Sequence, residues 1–294
     1  QGATGVAGAK GDTGAQGIQG IAGSLSNLTD SLIENTSIYF GSDPSATTDS
    51  ANSNTAIGMA ALDAITTGDY NVAVGFVALS SNTDGDYNTA SGFAALTDNM
   101  TGQENTASGF GALGRNIEGN YNTASGSRAL GYNNTGDSNT ASGYKALYNN
   151  ITGYHNTASG RDALFINTTG KENTAVGSEA LYRNQSNYNT AIGFQALQAN
   201  EYGSYNTAIG YGAGTYGIFL DNTTAIGNGA LVNAGNKIRL GNAAISVIEG
   251  QVGFSSTSDR RLKKDIMDTR YGLNTILELR PVDYQMKSNN LEQI

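Results

Sequence analysis

A short motif recurs along most of the chain at a nearly constant interval. The motif is Asn-Thr-Ala-x-Gly, in which x varies, and its alanine stands at positions 56, 73, 90, 107, 124, 141, 158, 175, 191, 208 and 225. The interval is seventeen residues throughout, except between positions 175 and 191, where it is one residue shorter. A fixed period of this kind is typical of a solenoid, in which each repeat forms one circuit, here called a coil, and packs on its neighbours.

The length of the repeat selects the kind of solenoid. Seventeen residues are too few for helical-hairpin repeats, whose periods begin at about 33 residues. They suit a β-solenoid coil made of a short strand, a glycine turn, a second short strand and a longer polar turn. The predicted fold class is therefore all-β, with eleven coils over residues 54–235 and a length of roughly 50 Å. Residues 236–257 alternate polar and apolar side chains, and we expect them to form a short β cap.

Strand geometry predicts which side chains face inward. Alternation places the Asn, Ala and Gly of the motif on one face of the strand and Thr and x on the other. A leucine follows the motif glycine by four residues in nearly every coil, beginning with Leu62, and we expect it in the interior. Equivalent side chains should stack as ladders, with the Asn amides hydrogen-bonded along the stack. A tyrosine ladder is expected from Tyr70, Tyr87, Tyr121, Tyr188 and Tyr205.

The residue x changes character along the solenoid. It is apolar in the outer coils and serine in five middle coils, in the order Ile57, Val74, Ser91, Ser108, Ser125, Ser142, Ser159, Val176, Ile192, Ile209 and Ile226. One interpretation is drift at a half-exposed position. The other is a polar channel along the axis of an oligomer.

The start of the chain, residues 1–23, carries glycine at every third position. Only glycine fits at the crowded axis of three wound chains, so this segment is predicted to form a collagen-like triple helix and the protein to be a homotrimer. A flexible glycine-rich linker is the alternative. Residues 24–53 are assigned to a neck and linker, where helical spacing is shown by Leu25, Leu28, Leu32 and Ile33.

Composition excludes several kinds of chemistry. The chain has no cysteine, one histidine and a net charge of −9. Zinc, iron–sulfur and thiol chemistry need residues that are missing here, so we expect no metal and no cofactor. An acidic body is repelled by phosphate backbones, which argues against nucleic-acid partners. No run of apolar residues is long enough for insertion into a membrane.

Several local patterns imitate functional motifs. Residues 212–217 match GxGxxG but lie inside a repeat, and Ser80, Asn82 and Asp84 resemble an incomplete calcium loop. His155 occupies a tyrosine position and is interpreted as a turn residue. The carboxylate pairs Asp69/Asp86 and Glu172/Glu179 are the candidates for glycan hydrolysis, a function that lacks a cleft-forming break in the repeat. Glycosylation motifs begin at Asn27, Asn35, Asn99, Asn133, Asn150, Asn167, Asn184 and Asn222.

Two parts of the chain resemble known families. The Asn-Thr-Ala-Ile-Gly motif over about 54–235 is similar to the repeat in the heads of YadA-type trimeric autotransporter adhesins, which implies a left-handed parallel β-roll. Residues 258–294 carry Ser258-Asp-Arg-Arg-Leu-Lys263 and later Leu279-Arg-Pro-Val-Asp-Tyr284. This string strongly resembles the start of the self-cleaving intramolecular-chaperone domain of phage tail fibres, tail spikes and endosialidases.

The second resemblance implies a chemical step. In that family a Ser–Lys pair cuts the chain just before the serine after the trimer has folded, which here means the bond Thr257–Ser258, with Ser258 and Lys263 as the catalytic pair. A lysine acts as a base only if its pKa is depressed, and neighbouring cations would lower the pKa of Lys263 in this way. The alternative is a solvated basic patch. Only the segment 258–294 follows Thr257, whereas the chaperone domain of that family is much longer. We therefore expect a truncated chaperone domain.

Together these observations predict a structural and adhesive fibre. The first interpretation is a phage tail-fibre segment in the virion that presents a surface to a host receptor, either a glycan or a surface protein. The alternative is an adhesin or filament on a bacterial cell surface. No enzyme acting on a foreign substrate is expected.

Overall fold

The computed structural model describes residues 31–34, 36–41, 44 and 50–249. These residues form strands and no α-helix. The strands are β1 (Ser31–Glu34), β2 (Ser37–Phe40), β3 (Thr55–Ile57), β4 (Val72–Val74), β5 (Thr89–Ser91), β6 (Thr106–Ser108), β7 (Thr123–Ser125), β8 (Thr140–Ser142), β9 (Thr157–Ser159), β10 (Thr174–Val176), β11 (Thr190–Ile192), β12 (Thr207–Ile209), β13 (Gly214–Thr215), β14 (Thr224–Ile226), β15 (Leu231–Val232) and β16 (Ile238–Leu240). The predicted collagen-like and chaperone segments lie outside the described residues.

The strands confirm the parallel solenoid. One sheet of 14 strands runs from β1 to β12 and continues through β14 to β16, while β13 and β15 form a separate pair. From β2 onward every neighbour in the large sheet is parallel, and only β1 pairs antiparallel with β2. The sheet therefore begins before residue 54 and continues past residue 235.

The helical interpretation of the neck is wrong for the residues that the structure describes there. Leu32 and Ile33 lie in β1, where they pair with Tyr39 and Ile38 of β2. The strand β2 in turn pairs in parallel with the first coil. Backbone pairing at the end of the sheet therefore prevails over a helical spacing that spans too few residues to be decisive.

Identical positions of the repeat stack in register. Ala107 pairs with Ala124, and Ala175 still pairs with Ala191 although their interval is one residue shorter. The residue is missing from the long turn, where Ser186 replaces the usual glycine. The carbonyl of Ser186 accepts a hydrogen bond of 2.8 Å from Nδ2 of Asn173. The shortened coil is thus accommodated in a turn, and the strand register is kept.

The expected second strand of each coil is wrong for most coils. Only β13 and β15 form there within the described ranges, and elsewhere the chain makes tight bends. Leu113 has φ 50°, in the left-handed region of backbone conformation, and the equivalent leucines of most other coils have similar values. Its N–H donates to the carbonyl of Ala129 in the next coil at 2.9 Å. Coil-to-coil hydrogen bonds therefore persist without extended backbone. The tight bends let a coil of so few residues complete its turn.

The interior is narrow and is filled by columns of small and branched side chains. Ala107, Ala112 and Leu113 are fully buried, and so are their equivalents along the solenoid. The motif glycine permits the close stacking. A Cβ on Gly109, whose φ is +133°, would lie 2.7 Å from the carbonyl oxygen of Gly126. The prediction that Ala and Leu face the interior is confirmed.

Candidate binding surface

Two asparagine ladders stiffen the interior and hold the surface turns in place. The motif ladder is formed by the first residue of each motif, which is asparagine except for Thr223 in the last coil. The turn ladder is formed by Asn82, Asn99, Asn116, Asn133, Asn150, Asn167, Asn184 and Asn200. Nδ2 of Asn105, from the motif ladder, and Nδ2 of Asn116, from the turn ladder, both donate to the carbonyl of Gly119 at 2.8 Å. This turn carbonyl thus joins the two ladders. Fully satisfied polar networks of this kind specify one rigid arrangement.

Most of the asparagines in the glycosylation motifs belong to the turn ladder, which determines whether they are accessible. Five of the eight candidate asparagines belong to it and are fully buried, namely Asn99, Asn133, Asn150, Asn167 and Asn184. Their amide groups are held inside the solenoid, so they cannot carry a glycan in the folded chain. Asn222 is exposed, while Asn27 and Asn35 lie outside the described residues.

Aromatic side chains stack along the outer surface. Tyr70 and Tyr87 stack with centroids 4.9 Å apart, and Tyr188 and Tyr205 do the same. The predicted tyrosine ladder is confirmed for these two pairs, whereas Tyr121 has Glu104 and Ser138 at the equivalent positions of the neighbouring coils. Further ladders, not predicted, join Phe76, Phe93 and Phe110 and also Tyr148, Phe165 and Tyr182.

His155 lies in a turn, as its place in the repeat predicts. It has φ 55°, and Tyr121, two coils earlier at the equivalent position, has φ 59°. The His155 ring makes an edge contact with Tyr154, with centroids 5.3 Å apart. The histidine is exposed, so it lies on the outside of the solenoid at the position that tyrosine occupies in other coils.

Basic side chains concentrate in the middle coils and lie against aromatic rings. The guanidinium of Arg115 lies 4.6 Å from the ring centroid of Tyr132, and that of Arg128 lies 5.6 Å from Phe110. Nζ of Lys171 lies 5.3 Å from the ring of Tyr154. A hydrogen bond with Tyr154 raises the pKa of this lysine. Cation–π contacts of this kind position a charge without neutralising it.

A surface cleft opens among these basic residues. It has a volume of about 370 Å³, and Arg115, Arg128, Tyr132 and Tyr148 line it together with Asp98. A second hollow of about 320 Å³ adjoins it and shares Asp98, Arg115 and Tyr132. Burial raises the pKa of Tyr148, and a hydrogen bond with Tyr132 adds to that effect. This cleft was missed from the sequence, although two glycines that stand where neighbouring coils have larger residues signal it.

The candidate carboxylates for glycan hydrolysis are placed unsuitably. Glu179 accepts hydrogen bonds of 2.8 Å from Nε2 of both Gln195 and Gln198, and it pairs with Arg161 at 2.5 Å. These contacts, led by the one from Gln195, lower the pKa of Glu179. A general acid needs the opposite shift.

The other acidic candidates accept hydrogen bonds from backbone N–H groups or from threonine hydroxyls. Asp86 accepts the N–H of Asp69 at 2.7 Å, and Asp69 accepts the N–H of Asn52 at 2.6 Å. In the calcium-loop pattern, Asp84 accepts hydrogen bonds of 2.8 Å from the hydroxyls of Thr67 and Thr66. These bonds lower the pKa of Asp84, and the one from Thr67 contributes most. Over the described ranges, no group of three or more His, Asp or Glu side chains is placed to hold a metal ion.

The GxGxxG match at residues 212–217 does not form a dinucleotide site. It contains the two-residue strand β13. The residues that follow it are a turn of the solenoid, whereas such a site needs a helix there. The interpretation of this pattern as part of a repeat is confirmed.

The predicted catalytic pair cannot be placed. Ser258, Lys263 and the bond Thr257–Ser258 lie outside the described residues, so their geometry stays a prediction. Within the described part of the chain, no helix is long and apolar enough to span a membrane.

Comparison with known proteins concerns the end of the chain. Residues 258–293 match the family Peptidase_S74, chaperone of endosialidase. That domain is an autoproteolytic intramolecular chaperone. The match and the β-solenoid together fit a protein of the tail-fibre or tail-spike type. No curated protein matches the chain.

Proposed function

We propose that the chain is part of a homotrimeric phage tail fibre or tail spike that attaches the virion to a receptor on the host cell surface. The observation that most supports this proposal is a parallel β-solenoid followed in the same chain by a match to the chaperone of endosialidase. A rod of stacked coils presents repeated side chains on a fixed scaffold, as adhesive solenoids require.

The outward face of the large sheet supports the trimer. Ile57 is 47% exposed, and Ile192, Ile209 and Ile226 are each 40% or 41% exposed. The register places the isoleucines of the last coils in one column, because Ile192 pairs with Ile209 and Ile209 with Ile226. A continuous apolar column on a surface is typical of an interface. The collagen-like period of residues 1–23 supports three chains.

The middle of the same face is polar. The corresponding column there consists of five exposed serines, Ser91, Ser108, Ser125, Ser142 and Ser159. In the proposed trimer this column lines a polar channel along the axis, between two apolar seals. This arrangement extends the second of the two interpretations of the x position.

Maturation by self-cleavage completes the proposal. Lys263 takes the hydroxyl proton of Ser258, whose Oγ attacks the carbonyl carbon of Thr257. The Thr257–Ser258 C–N bond breaks as its nitrogen is protonated, leaving an ester that water hydrolyses, and the trimeric fibre is released from its chaperone. The support is the family match, which begins at residue 258.

Adsorption to cells tests the attachment function. Fluorescently labelled protein is incubated with the cells that the source phage or bacterium encounters, and bound protein is measured against concentration. Saturable binding that unlabelled protein displaces supports the proposal. Absence of saturable binding on every such cell type contradicts it.

A further inference from the structure

The cleft in the middle coils exists because two side chains are replaced by glycine. Gly114 and Gly131 occupy consecutive places in a column that carries Thr97 in the preceding coil and Tyr148 in the following one. The two glycines leave a notch that the next tyrosine borders, since a Cβ on Gly131 would lie 2.7 Å from Cε2 of Tyr148. The regular stacking of side chains is thus interrupted in these two coils.

The cleft is elongated along the solenoid. Its two hollows, of about 370 and 320 Å³, share Asp98, Arg115 and Tyr132. Their lining extends from Ala94 to Ile151, which spans four successive coils and hence about 15 Å. An extended chain molecule fits this shape better than a compact one.

The charge of the cleft is positive on an otherwise acidic chain. Among the residues that the structure describes, Arg161 forms ion pairs, whereas Arg115 and Arg128 form none. The whole chain nevertheless has a net charge of −9. The guanidinium groups of Arg115 and Arg128 rest on the rings of Tyr132 and Phe110. A stacked guanidinium keeps its N–H fork free for a planar anion such as a carboxylate.

The second hollow is also bordered by an asparagine that has an unsatisfied acceptor. Oδ1 of Asn134 is buried and has no hydrogen-bond partner among the described residues, and Asn134 lines this hollow together with Arg115 and Tyr132. Buried polar atoms are nearly always hydrogen-bonded. A rotation of the Asn134 side chain toward the hollow would let a ligand hydroxyl donate to this oxygen.

We propose that this cleft binds an acidic saccharide. Its negative group lies between Arg115 and Arg128, and a sugar ring packs on Tyr132. A hydroxyl donates to Oδ1 of Asn134 once that side chain has turned toward the hollow. Asp98 accepts further hydroxyl groups at the rim. This inference rests on the proposed attachment function and names the class of receptor that the solenoid recognises.

Binding of defined saccharides to the whole chain tests the inference. The probes are oligogalacturonate, which carries carboxylates, dextran sulfate and neutral dextran, measured by titration calorimetry. The wild type is expected to bind at least one acidic probe and not dextran. Arg115→Gln and Arg128→Gln should each weaken that binding by about tenfold, as expected for loss of a charge-assisted hydrogen bond.

Two further variants separate the cleft from general charge. Arg183→Gln is the matched control, because Arg183 is exposed and occupies the same place in its coil as Arg115; its binding should equal that of the wild type. Gly114→Thr, which copies Thr97 of the preceding coil, fills the notch without changing charge and should also weaken binding. Circular dichroism confirms that each variant is folded.

Each outcome bears on the proposal. Failure of the wild type to bind either acidic probe overturns it, as do equal binding of dextran and an equal loss in Arg183→Gln. A preference for oligogalacturonate or for dextran sulfate identifies the acidic group. Cell adsorption distinguishes this inference from the proposed function: adsorption that the cleft variants leave unchanged refutes the cleft alone, whereas a wild type that binds the acidic probe but no cell refutes attachment alone.

Discussion

Nδ2 of Asn116 donates a hydrogen bond of 2.7 Å to Oδ1 of Asn99, its equivalent one coil earlier. Nδ2 of Asn133 in turn donates to Oδ1 of Asn116 at 2.8 Å. The stack is directional, because each amide donates to the preceding coil and accepts from the following one. The stability of each coil therefore depends on its neighbours, as in other solenoids.

Replacing one member of the turn ladder should destabilise several coils. Asn116→Ala removes the donor to Asn99 and to Gly119 and the acceptor of Asn133. Buried groups left without partners cost about 1 to 3 kcal/mol each, so we expect a loss of about 2 to 4 kcal/mol in the free energy of unfolding. Urea unfolding measures it.

A surface asparagine provides the control for that variant. Asn149→Ala alters a half-buried side chain outside both ladders and should change the free energy of unfolding by less than about 0.5 kcal/mol. Equal effects of the two substitutions would show that the ladder does not stabilise the fold.

In the regular coils, a turn glycine such as Gly102 should not tolerate a side chain. A Cβ on Gly102 would lie 2.5 Å from the carbonyl oxygen of Gly119 and 2.7 Å from Nδ2 of Asn116. We expect Gly102→Ala to lower the free energy of unfolding by about 1 to 3 kcal/mol, because the backbone of the next coil has to shift. Thermal and urea unfolding measure the change.

Gly111→Ala is the matched comparison in the same solenoid. Its Cβ would meet only Cγ of Arg128, at 3.8 Å. The φ of +60° at Gly111 is close to that of Ala94, which has φ 55° at the same place in the preceding coil. Thermal unfolding of Gly111→Ala should show only the cost of an L residue at a left-handed φ, about 1 kcal/mol, with no added cost from a clash. A Gly102→Ala protein as stable as Gly111→Ala would contradict the stacking geometry.

The apolar column of the outer sheet face should be required for assembly. Ile209→Lys places a charge in this column and is expected to convert the proposed trimer to monomers, because an unpaired charge is costly to bury. Sedimentation equilibrium gives the mass. Tyr211→Lys, which alters a side chain 61% exposed in the same coil, should stay trimeric. A wild-type mass equal to that of one chain would contradict the proposed trimer.

Self-cleavage should leave a defined fragment. The full-length protein is expected to give a product ending at Thr257, and Ser258→Ala and Lys263→Ala should stay intact because the nucleophile or its base is lost. Intact mass spectrometry resolves the products. Ser256→Ala, a serine substitution just before the proposed cleavage site, should be cut like the wild type. An uncut wild-type chain would refute the assignment.

Much of the fold could be predicted from periodicity. The repeat places Ala107, Leu113 and Asn105 at fixed positions, and their burial follows from strand alternation. The turn ladder was not predicted, although Asn99 and Asn116 are one repeat apart, because Asn99 was noted only as the start of a glycosylation motif. Only the three-dimensional path of the turn shows that these amides point inward.

Other features depended on packing that a repeat does not encode. The left-handed φ of Leu113 is set by closure of the coil, since leucine has no intrinsic preference for it. The cleft arises from departures from the repeat at Gly114 and Gly131, and the effect of Gly131 depends on the neighbouring Tyr148. A consensus of the repeat averages such departures away.

The location of the protein tests the central claim most directly. Antibody raised against residues 54–235 is used for immunogold electron microscopy of the source culture. Gold on virion tails is the predicted result and would establish a fibre for attachment to a host. Gold on cell envelopes, with none on virions, would contradict the account and assign the solenoid to a bacterial surface.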